Sequence, residues 1–313
     1  MEMTTATQRA GVLAQGRAAA ASAQLLRDYV TLTKPHIISL LLVTTLMPML
    51  VAAGGWPGGW LVLCTLAGGY LMAGSANAAN MFVDRDIDRG MARTALRPIP
   101  AGRMSPGHVA AFSATLGVAA FALFATQVNL LAAGLSLAGW LWYVAVYTLR
   151  LKRTSPQNIV IGGAAGAFPP LVGWAAVTGG LSATALVCFA VVFLWTPPHF
   201  WALALVKQKD YGRVGVPMAP NVWGERRTIR LMGVYAWILV PVTLLPVALG
   251  GLGVVYGVLA LGLGAWFLRA VRAVGRAVDL TAPAWGAYRA SLLYLALLFG
   301  AMAVDTFFLV LVR

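Results

Sequence analysis

The sequence predicts an all-α protein, a polytopic membrane helical bundle with nine transmembrane helices, and three observations support this prediction. Hydrophobic residues make up 60% of the chain and charged residues only 10%, whereas soluble proteins carry about 25% charged residues. The apolar residues are gathered in nine runs of roughly the length, about 20 residues, that crosses the hydrocarbon core as a helix. The basic residues occupy alternate connections between these runs.

The apolar runs follow one another with short connections, so we expect a single transmembrane domain over residues 35–313. Prolines inside the runs, such as Pro48, Pro169 and Pro197, are interpreted as kinks, because packed neighbours can satisfy the backbone groups that a proline leaves free. In order, the runs cover approximately residues 36–53, 60–83, 109–126, 130–149, 159–177, 183–206, 231–249, 252–268 and 290–312.

The basic residues predict the orientation, because Lys and Arg accumulate in cytoplasmic loops. All of them except Arg313 fall in the N-terminal segment or after the second, fourth, sixth and eighth runs. The N terminus and these connections are therefore expected in the cytoplasm. The net charge of +14 reflects topology and attraction to anionic membrane lipid, and no nucleic-acid partner is indicated.

Residues 1–34 are expected to form a mobile cytoplasmic tail. Its Ala-, Gln- and Arg-rich start suits a bacterial protein and, loosely, a mitochondrial transit peptide. We favour the bacterial inner (plasma) membrane, with the mitochondrial inner membrane as the alternative. Cys64 and Cys188 lie inside predicted spans without CxxC spacing, so they are expected in the core rather than in a disulfide or a zinc site.

The second run ends in the stretch NAANMFVDRDIDRG, where Asn80, Asp84 and Asp88 recur every four residues. On a helix this spacing forms one polar stripe with steps of about 6 Å, and Asp86 points elsewhere. Carboxylates four apart repel each other and oppose the helix dipole at a C terminus, unless a cation lies between them. Because Mg²⁺ is commonly held by one or two carboxylates with substrate phosphates, the stripe predicts metal-bridged diphosphate binding. The alternative is that these acids merely mark the water interface.

Basic residues and a second acid on the same side of the membrane supply complementary groups. Arg93 and Arg97, also four apart, are candidates to clamp phosphate oxygens. Lys152 and Arg153 follow the fourth run and are further phosphate candidates, although the positive-inside rule alone explains them equally well. Asp210 is the only acid near the end of the sixth run, and we expect it to face Asp84 from the same side.

His199 lies inside the sixth run, in the stretch TPPHFWALAL. Ionisable residues within spans are rare and usually functional. One interpretation is a histidine bonded to a carbonyl freed by the adjacent prolines. The other is a ligand or polar anchor for a metal-containing substrate.

Four stretches resemble the UbiA-type intramembrane prenyltransferases, and specifically their haem-directed branch, the protohaem IX farnesyltransferases or haem O synthases. They are LTKPHIISLLL, NAANMFVDRDIDRGMARTALRPIPAGRMS, YTLRLKRTSPQNIVIGGAAGAFPPLVGW and TPPHFWALALVKQKDYGRVGVPM. The NxxxDxxxD core is typical of the whole superfamily, whereas LKRTSPQNIVIGGAAGAFPP together with HFWALA is typical of the haem branch.

The resemblance implies nine helices around a central cavity that binds farnesyl diphosphate and Mg²⁺ at its cytoplasmic mouth. It implies a first motif of Asn80, Asp84 and Asp88 and a second that starts at Asp210, with the two aspartates of the first motif and Asp210 as metal ligands. Lys152 and Arg153 would lie near the diphosphate. The position four residues after Asp210, which is acidic in the wider superfamily, is Val214 here, so metal binding by the second motif is the less supported half.

The activity implied is transfer of the farnesyl group to a vinyl group of haem B, which gives haem O and diphosphate, a step towards haem A. Tyr211 and Trp201 are candidates to stabilise an allylic cation, and His199 is a candidate haem contact. Haem A synthase is a further candidate partner. Two alternatives stay open: prenylation of another aromatic acceptor in quinone biosynthesis, and a transporter whose charged groups line a pathway.

Overall fold

The structure is a computed structural model that describes residues 22–312, with side chains to residue 308. Its described part is helical throughout, apart from turns and short connections. The helices are α1 (22–33), α2 (Pro35–Ala53), α3 (Gly59–Val83), α4 (Arg85–Arg89), α5 (Pro106–Gln127), α6 (Leu130–Leu141), a π-helix (Trp142–Leu151), α7 (Lys152–Thr154), α8 (Asn158–Gly162), α9 (Ala164–Thr178), α10 (Ala183–Val206), α11 (Gln208–Arg213), α12 (Ala219–Trp223), α13 (Glu225–Ala248), α14 (Val254–Arg276) and α15 (Thr281–Val312).

Within residues 22–312, nine helical segments are long and apolar enough to cross a membrane, which confirms the predicted fold class. The fourth span runs unbroken through α6, the π-helix and α7, and the fifth combines α8 and α9. The seventh and ninth spans begin earlier than predicted, at Glu225 and Thr281. The apolar runs mark only the uncharged part of each helix, and Arg and Glu are good helix formers, so the helix continues through the charged residues that flank the run.

The prolines inside the spans do not end their helices, as predicted. Pro48 lies within α2, and Pro197 and Pro198 lie within α10. Neighbouring helices pack tightly around such points. A Cβ atom added to Gly173 of α9 would lie 2.1 Å from the backbone oxygen of Thr45 in α2, so this crossing requires glycine. The central cavity implied by the resemblance remains a prediction.

Three apolar clusters hold the described helices together. The largest lies among α10, α13, α14 and α15, the second among α2, α3, α5, α6 and α9, and the third where α1 meets α3 and α5. Cys64 and Cys188 are buried and unbonded, which confirms the prediction that they are core residues. Burial of apolar surface cannot alone distinguish one helix arrangement from another in lipid, so close contacts and polar links between helices matter more.

One such polar link involves Asp305, a buried carboxylate near the end of α15. Its two oxygens accept hydrogen bonds from the backbone N–H groups of Gly253, at 2.6 Å, and Tyr256, at 3.0 Å. These are free donors at the start of α14, which carry a partial positive charge. Asp305 therefore caps a neighbouring helix, a role that its position in the sequence did not indicate.

The part of the predicted tail (residues 1–34) that the structure describes contains a helix. Residues 22–33 form α1, while residues 1–21 lie outside the described part of the chain. The helix is anchored because Asp28 is buried and accepts bidentate hydrogen bonds of 2.9–3.0 Å from Arg103. Leu32 packs into the third cluster. These contacts join α1 to the bundle, and the boundary at residue 34 between a mobile tail and the transmembrane domain stays a prediction.

Candidate active site

The polar stripe at the end of the second span, formed by Asn80, Asp84 and Asp88, continues across a small break in the helix. α3 ends at Val83, Asp84 has φ −83° and ψ 6°, and α4 begins at Arg85. The four-residue hydrogen bonds continue through the break, from the N–H of Asp84 to the oxygen of Asn80 and from the N–H of Asp88 to the oxygen of Asp84. Asn80, Asp84 and Asp88 therefore stay on one face, and all three are buried.

Asn80 connects two neighbouring elements to this stripe. Its amide nitrogen donates to Asp84 Oδ2, at 2.6 Å, and to Thr148 Oγ1 of the π-helix, at 3.3 Å. Its oxygen accepts from Lys34 Nζ, at 3.1 Å. Both the amide nitrogen and the amide oxygen of Asn80 therefore have hydrogen-bond partners, which fix the orientation of the side chain.

Asp84 is completely buried, and its two oxygens have different surroundings. Oδ2 accepts hydrogen bonds from Lys152 Nζ and from Asn80. Oδ1 has no hydrogen-bond partner among the described residues, and Nη2 of Arg153 lies 3.8 Å from it. A buried carboxylate oxygen without a partner is costly, so this atom is available to a further ligand.

Asp88 is the second buried carboxylate of the stripe. Its Oδ2 accepts from Nη1 of Arg97, at 2.6 Å, and its backbone oxygen accepts from the hydroxyl of Thr94, at 3.0 Å. Arg97, predicted as a phosphate clamp, is therefore paired with a carboxylate of the stripe itself. An anionic ligand would share this guanidinium with Asp88.

Asp86 lies on the opposite side of α4, as predicted. It is 61% exposed and receives two hydrogen bonds of 2.7 Å from Arg153. These bonds hold the pKa of Asp86 well below its usual range. Both residues line an open cleft of about 360 Å³ between α4 and the segment that follows α11. The other lining residues are Ile87, Val214, Gly215 and Val216.

The second motif packs directly against the first. A Cβ atom added to Gly90, at the end of α4, would lie 2.7 Å from Cγ1 of Val214, which follows α11. Val214 is the residue four positions after Asp210 that departs from the DxxxD pattern, so here the contact between the motifs is apolar.

Tyr211 reports the electrostatic surroundings of the second motif. Burial raises the pKa of its hydroxyl, Arg93 and Arg97 lower it, and Asp210 and Asp84 raise it further. The phenol of Tyr211 therefore responds to charges of both motifs. Arg93 is exposed and Asp210 half-buried, and neither has an ion pair in the described part of the chain.

The acids of the two motifs do not form a closed cluster. Among the described residues, no group of three or more His, Cys, Asp or Glu side chains lies at metal-binding distances. Asp84 and Asp88 come together on the stripe, whereas Asp210 approaches them only through the contact of its segment with α4.

His199 lies in α10 about two turns before its end, held against α15. Its ring stacks between Trp195, with centroids 4.2 Å apart, and Tyr288, at 4.8 Å. Nδ1 lies 2.7 Å from Ser291 Oγ, whose hydroxyl hydrogen is donated to the backbone oxygen of Tyr288. Ser291 has one hydrogen to donate, and with that hydrogen on the Tyr288 carbonyl we assign the donor role in the other bond to Nδ1–H of His199. A neutral ring then keeps its lone pair on Nε2.

Two residues of the site escaped the sequence analysis. Lys34 precedes α2 with φ 55°, and burial, followed by the charges of Arg97 and Lys152, lowers its pKa to about 7. Its position in the stretch LTKPHIISLLL was the available signal, but the left-handed backbone that turns it inward cannot be read from the sequence. Thr148 lies in the π-helix, where a 3.6-residue period does not give the phase of the side chains.

Comparison with protein families gives a match over most of the chain. The model of the UbiA prenyltransferase family matches residues 41–293. Among curated relatives, protoheme IX farnesyltransferases of Roseiflexus sp. (strain RS-1) and Thermus thermophilus are 53% and 54% identical over 90% and 89% of this chain. The chain spans about half the length of these two relatives, 52% and 46%. The protoheme IX farnesyltransferase of Gloeobacter violaceus is 50% identical over 91% of this chain and 93% of its own length.

Solved structures share the fold at much lower sequence identity. A digeranylgeranylglyceryl phosphate synthase superposes with a TM-score of 0.75 at 18% identity, covering 90% of this chain and 98% of that protein. A UbiA homolog from Archaeoglobus fulgidus bound to DMAPP and Mg²⁺ superposes with a TM-score of 0.65 at 16% identity, covering 88% and 99%. At these identities the likeness concerns the fold alone.

Proposed function

Since the chain belongs to the UbiA prenyltransferase family, we propose that it transfers the farnesyl group of farnesyl diphosphate to a vinyl group of haem B, giving haem O. The acceptor is argued from relatives about 50% identical that are named protoheme IX farnesyltransferase. The observation that carries the reaction type is the pair of buried carboxylates, Asp84 and Asp88, with Lys34, Arg97 and Lys152 around them. The family gives no support to the transporter alternative.

The basic side chains bind the diphosphate in this proposal. Lys152 and Arg97 already contact the two carboxylates, and Lys34 is attached through Asn80. Arg153 and the exposed Arg93 approach from the rim. Cations held in place before the ligand binds stabilise the charge that develops on a leaving diphosphate at little reorganisation cost.

The donors present fit Mg²⁺. Oxygen atoms of carboxylates are the ligands that this hard cation prefers, and the buried, unpartnered Oδ1 of Asp84 supplies one. We propose that Asp84 and Asp88 hold the ion, that Asp210 contributes from the second motif, and that Asn80 orients the first ligand. When bound, Mg²⁺ neutralises charge on the diphosphate and so makes it a better leaving group.

The reaction then follows from charge and burial. The bond between C1 of the farnesyl group and the diphosphate oxygen breaks, and its electron pair leaves with the diphosphate. The vinyl electron pair forms the new bond to C1, and water adds to the carbon left electron-deficient and releases a proton. Tyr211 follows Asp210 directly in α11, so its ring is our candidate for stabilising the allylic cation, with Trp201 as a second candidate.

His199 is proposed as the haem contact through Nε2. Trp195 and Tyr288 stack on the ring, Phe200 meets it at 86°, and Nδ1 is used by Ser291, so Nε2 is the ring nitrogen available in this proposal. A lone pair on that atom is what a metal such as the haem iron accepts, and a fixed hydrogen bond at Nδ1 is the usual way to orient a histidine ligand.

The site faces the cytoplasm in this proposal, because nearly all the basic residues lie at the same end of the spans as Asp84. The protein is an integral, multi-pass membrane protein, and we propose the bacterial inner membrane as its location. Haem A synthase remains a proposed partner as the consumer of haem O.

The test is a product assay. Purified protein is incubated with haem B, farnesyl diphosphate and Mg²⁺, and the product is identified by mass. We expect haem O from the wild type and a loss of at least about 100-fold for Asp84→Asn and Asp88→Asn, as for loss of other charge-stabilising groups.

Asp279→Asn is the matched control, because this carboxylate is exposed and lies after α14, outside the site. It should leave turnover unchanged. Prenylation of 4-hydroxybenzoate but not haem B would favour the quinone alternative, and wild-type rates in both site variants would contradict the assignment of the carboxylates.

A further inference from the structure

A basic groove lies on α14, away from the carboxylates. Its volume is about 380 Å³, and it is lined by Arg269, Arg272, Ala273, Arg276 and Ala277. The arginines recur at spacings of three and four residues, so they share one face of the helix over about 10 Å of its axis. The alanines leave room between the long side chains.

The three arginines have no anionic partner in the described part of the chain. Across residues 22–308, the ion pairs formed by other basic side chains involve Arg97, Arg103, Lys152 and Arg153. The nearest carboxylate along the chain, Asp279, accepts a hydrogen bond from the backbone of Thr281 at the start of α15. Three like charges on one helix face repel each other, and an anion in the groove would remove that repulsion.

The surroundings of the groove correspond to the depth of lipid headgroups. The guanidinium of Arg272 lies 4.9 Å from the ring centroid of Trp237 on α13. Trp237 is 53% exposed, and the adjacent Ile238 is also exposed. Tryptophan is enriched where the hydrocarbon meets the headgroups, so an apolar surface continues directly below the arginines.

The groove is separate from the candidate active site. α14 packs against α13 and α15, whereas α3 packs against α2 and α5. α3 and α14 are the second and eighth spans and run in the same direction, so both end on the same side of the membrane. A ligand in the groove therefore enters from the same leaflet but does not touch Asp84 or Asp88.

We propose that this groove binds the phosphate of an anionic phospholipid from that leaflet. The guanidinium groups hold the phosphate oxygens, to which their planar donors are matched, and an acyl chain lies along Trp237 and Ile238. Free phosphate or diphosphate shares the charge chemistry but lacks the acyl chains that the apolar surface below the arginines would contact.

The test uses the full chain purified in a neutral detergent. Phosphatidylglycerol or phosphatidylcholine with identical acyl chains is added, and retained lipid is counted by native mass spectrometry. We expect the wild type to retain phosphatidylglycerol in preference, and Arg269→Gln/Arg272→Gln/Arg276→Gln to bind it about tenfold more weakly or worse. Inorganic diphosphate at equal concentration should not displace the lipid, and displacement would overturn the assignment to lipid.

Arg226→Gln/Arg227→Gln/Arg230→Gln is the matched control, because it removes the same charge from the start of α13 without touching the groove lining. Its binding should stay within about twofold of wild type, since lipid attraction by these residues is diffuse. Equal losses in both triple variants would show general surface attraction and contradict a site. Ala273→Glu is a second test of the groove. It keeps all three arginines but places a carboxylate among them, so phosphatidylglycerol binding should fall. Undiminished phosphatidylglycerol binding by this variant would also overturn the proposal.

Discussion

Lys34 adopts a backbone conformation that lysine rarely takes. Its φ of 55° lies in the left-handed region, which disfavours side chains with a Cβ atom, and strain of this kind collects at functional sites. The result is that the Lys34 ammonium reaches Asn80 next to the buried carboxylates. The strain is consistent with a cation that must enter the site from a helix start.

Replacing Lys34 by Met should weaken farnesyl diphosphate binding about tenfold, because a charged hydrogen-bonding partner of the anion is lost. The pKa of about 7 adds a second expectation. An anion stabilises the charged lysine, so binding should take up protons above pH 7, and the variant should take up fewer. Titration calorimetry in buffers of different ionisation enthalpy measures both effects.

Arg27→Met is the control for Lys34, since Arg27 is an exposed cation of α1. Its affinity and proton uptake should equal those of the wild type. A Lys34→Met protein with unchanged affinity would remove Lys34 from the site.

Ser291 fixes the tautomer of His199, which gives a prediction for haem. Ser291→Ala removes the acceptor for Nδ1–H, so the ring is free to place its proton on either nitrogen. We expect the KM for haem B to rise about tenfold, comparable to the loss of other groups that orient metal ligands, with the KM for farnesyl diphosphate unchanged. Ser291→Thr retains the hydroxyl and should restore part of the haem affinity. Equal effects on both substrates would contradict a haem role.

At the scale of single residues, the sequence predicted which side chains share one face of a helix. Asn80, Asp84 and Asp88 were predicted on one face, and they are. The ion-pair partners of the carboxylates could not be predicted from the sequence. Arg97 reaches Asp88 through the fold of the intervening loop, and Arg153 reaches Asp86 from a distant segment. Lys34 was missed for the same reason, since a positive φ leaves no signature in a Lys-Pro pair.

Between elements, the decisive contact is that of α4 with the end of α11. Gly90 and Val214 are so close that a Cβ atom on the glycine would lie 2.7 Å from the valine. Valine cannot turn its methyl groups aside easily, because β-branched side chains have few rotamers. This contact therefore fixes how closely the segment that carries Asp210 approaches the stripe.

Gly90→Ala should separate the two motifs and lower kcat/KM for farnesyl diphosphate about tenfold, because small displacements of positioned groups are costly. The φ of Gly90 is −82°, which alanine adopts freely, so the effect is steric. The double variant Gly90→Ala/Val214→Ala removes the opposing methyl groups and should recover most of the activity. A single variant as active as the wild type would show that this spacing is not critical.

Elements were predictable where composition alone decides them. Nine spans followed from apolar runs, and prolines within α2 and α10 were correctly interpreted as internal. The π-helix and the small break at Asp84 were not predicted, because they depend on tertiary packing rather than on local propensity. The helix α1 was not predicted either, since the Asp28–Arg103 pair that holds it joins residues far apart in sequence.

The whole molecule places its charges at the ends of an apolar bundle. Its buried carboxylates lie where the second span ends. Arg97 from the loop after α4 and Lys152 at the end of the fourth span contact them directly, and Lys34 at the start of α2 is attached through Asn80. Such a site exists only once the bundle is assembled. The proposed acceptor of the farnesyl group, haem B, was predicted from motifs of the haem branch.

The central claim is that Asp84 and Asp88 bind a metal–diphosphate group at this end of the bundle. The most direct measurement is the affinity of the purified protein for farnesyl thiolodiphosphate, a slowly reacting analogue, with Mg²⁺ and with excess EDTA. We predict that EDTA weakens wild-type binding about 100-fold, and that Asp84→Asn binds as weakly with Mg²⁺ as without it. Full affinity in EDTA, or a wild-type response to Mg²⁺ in Asp84→Asn, would contradict the account.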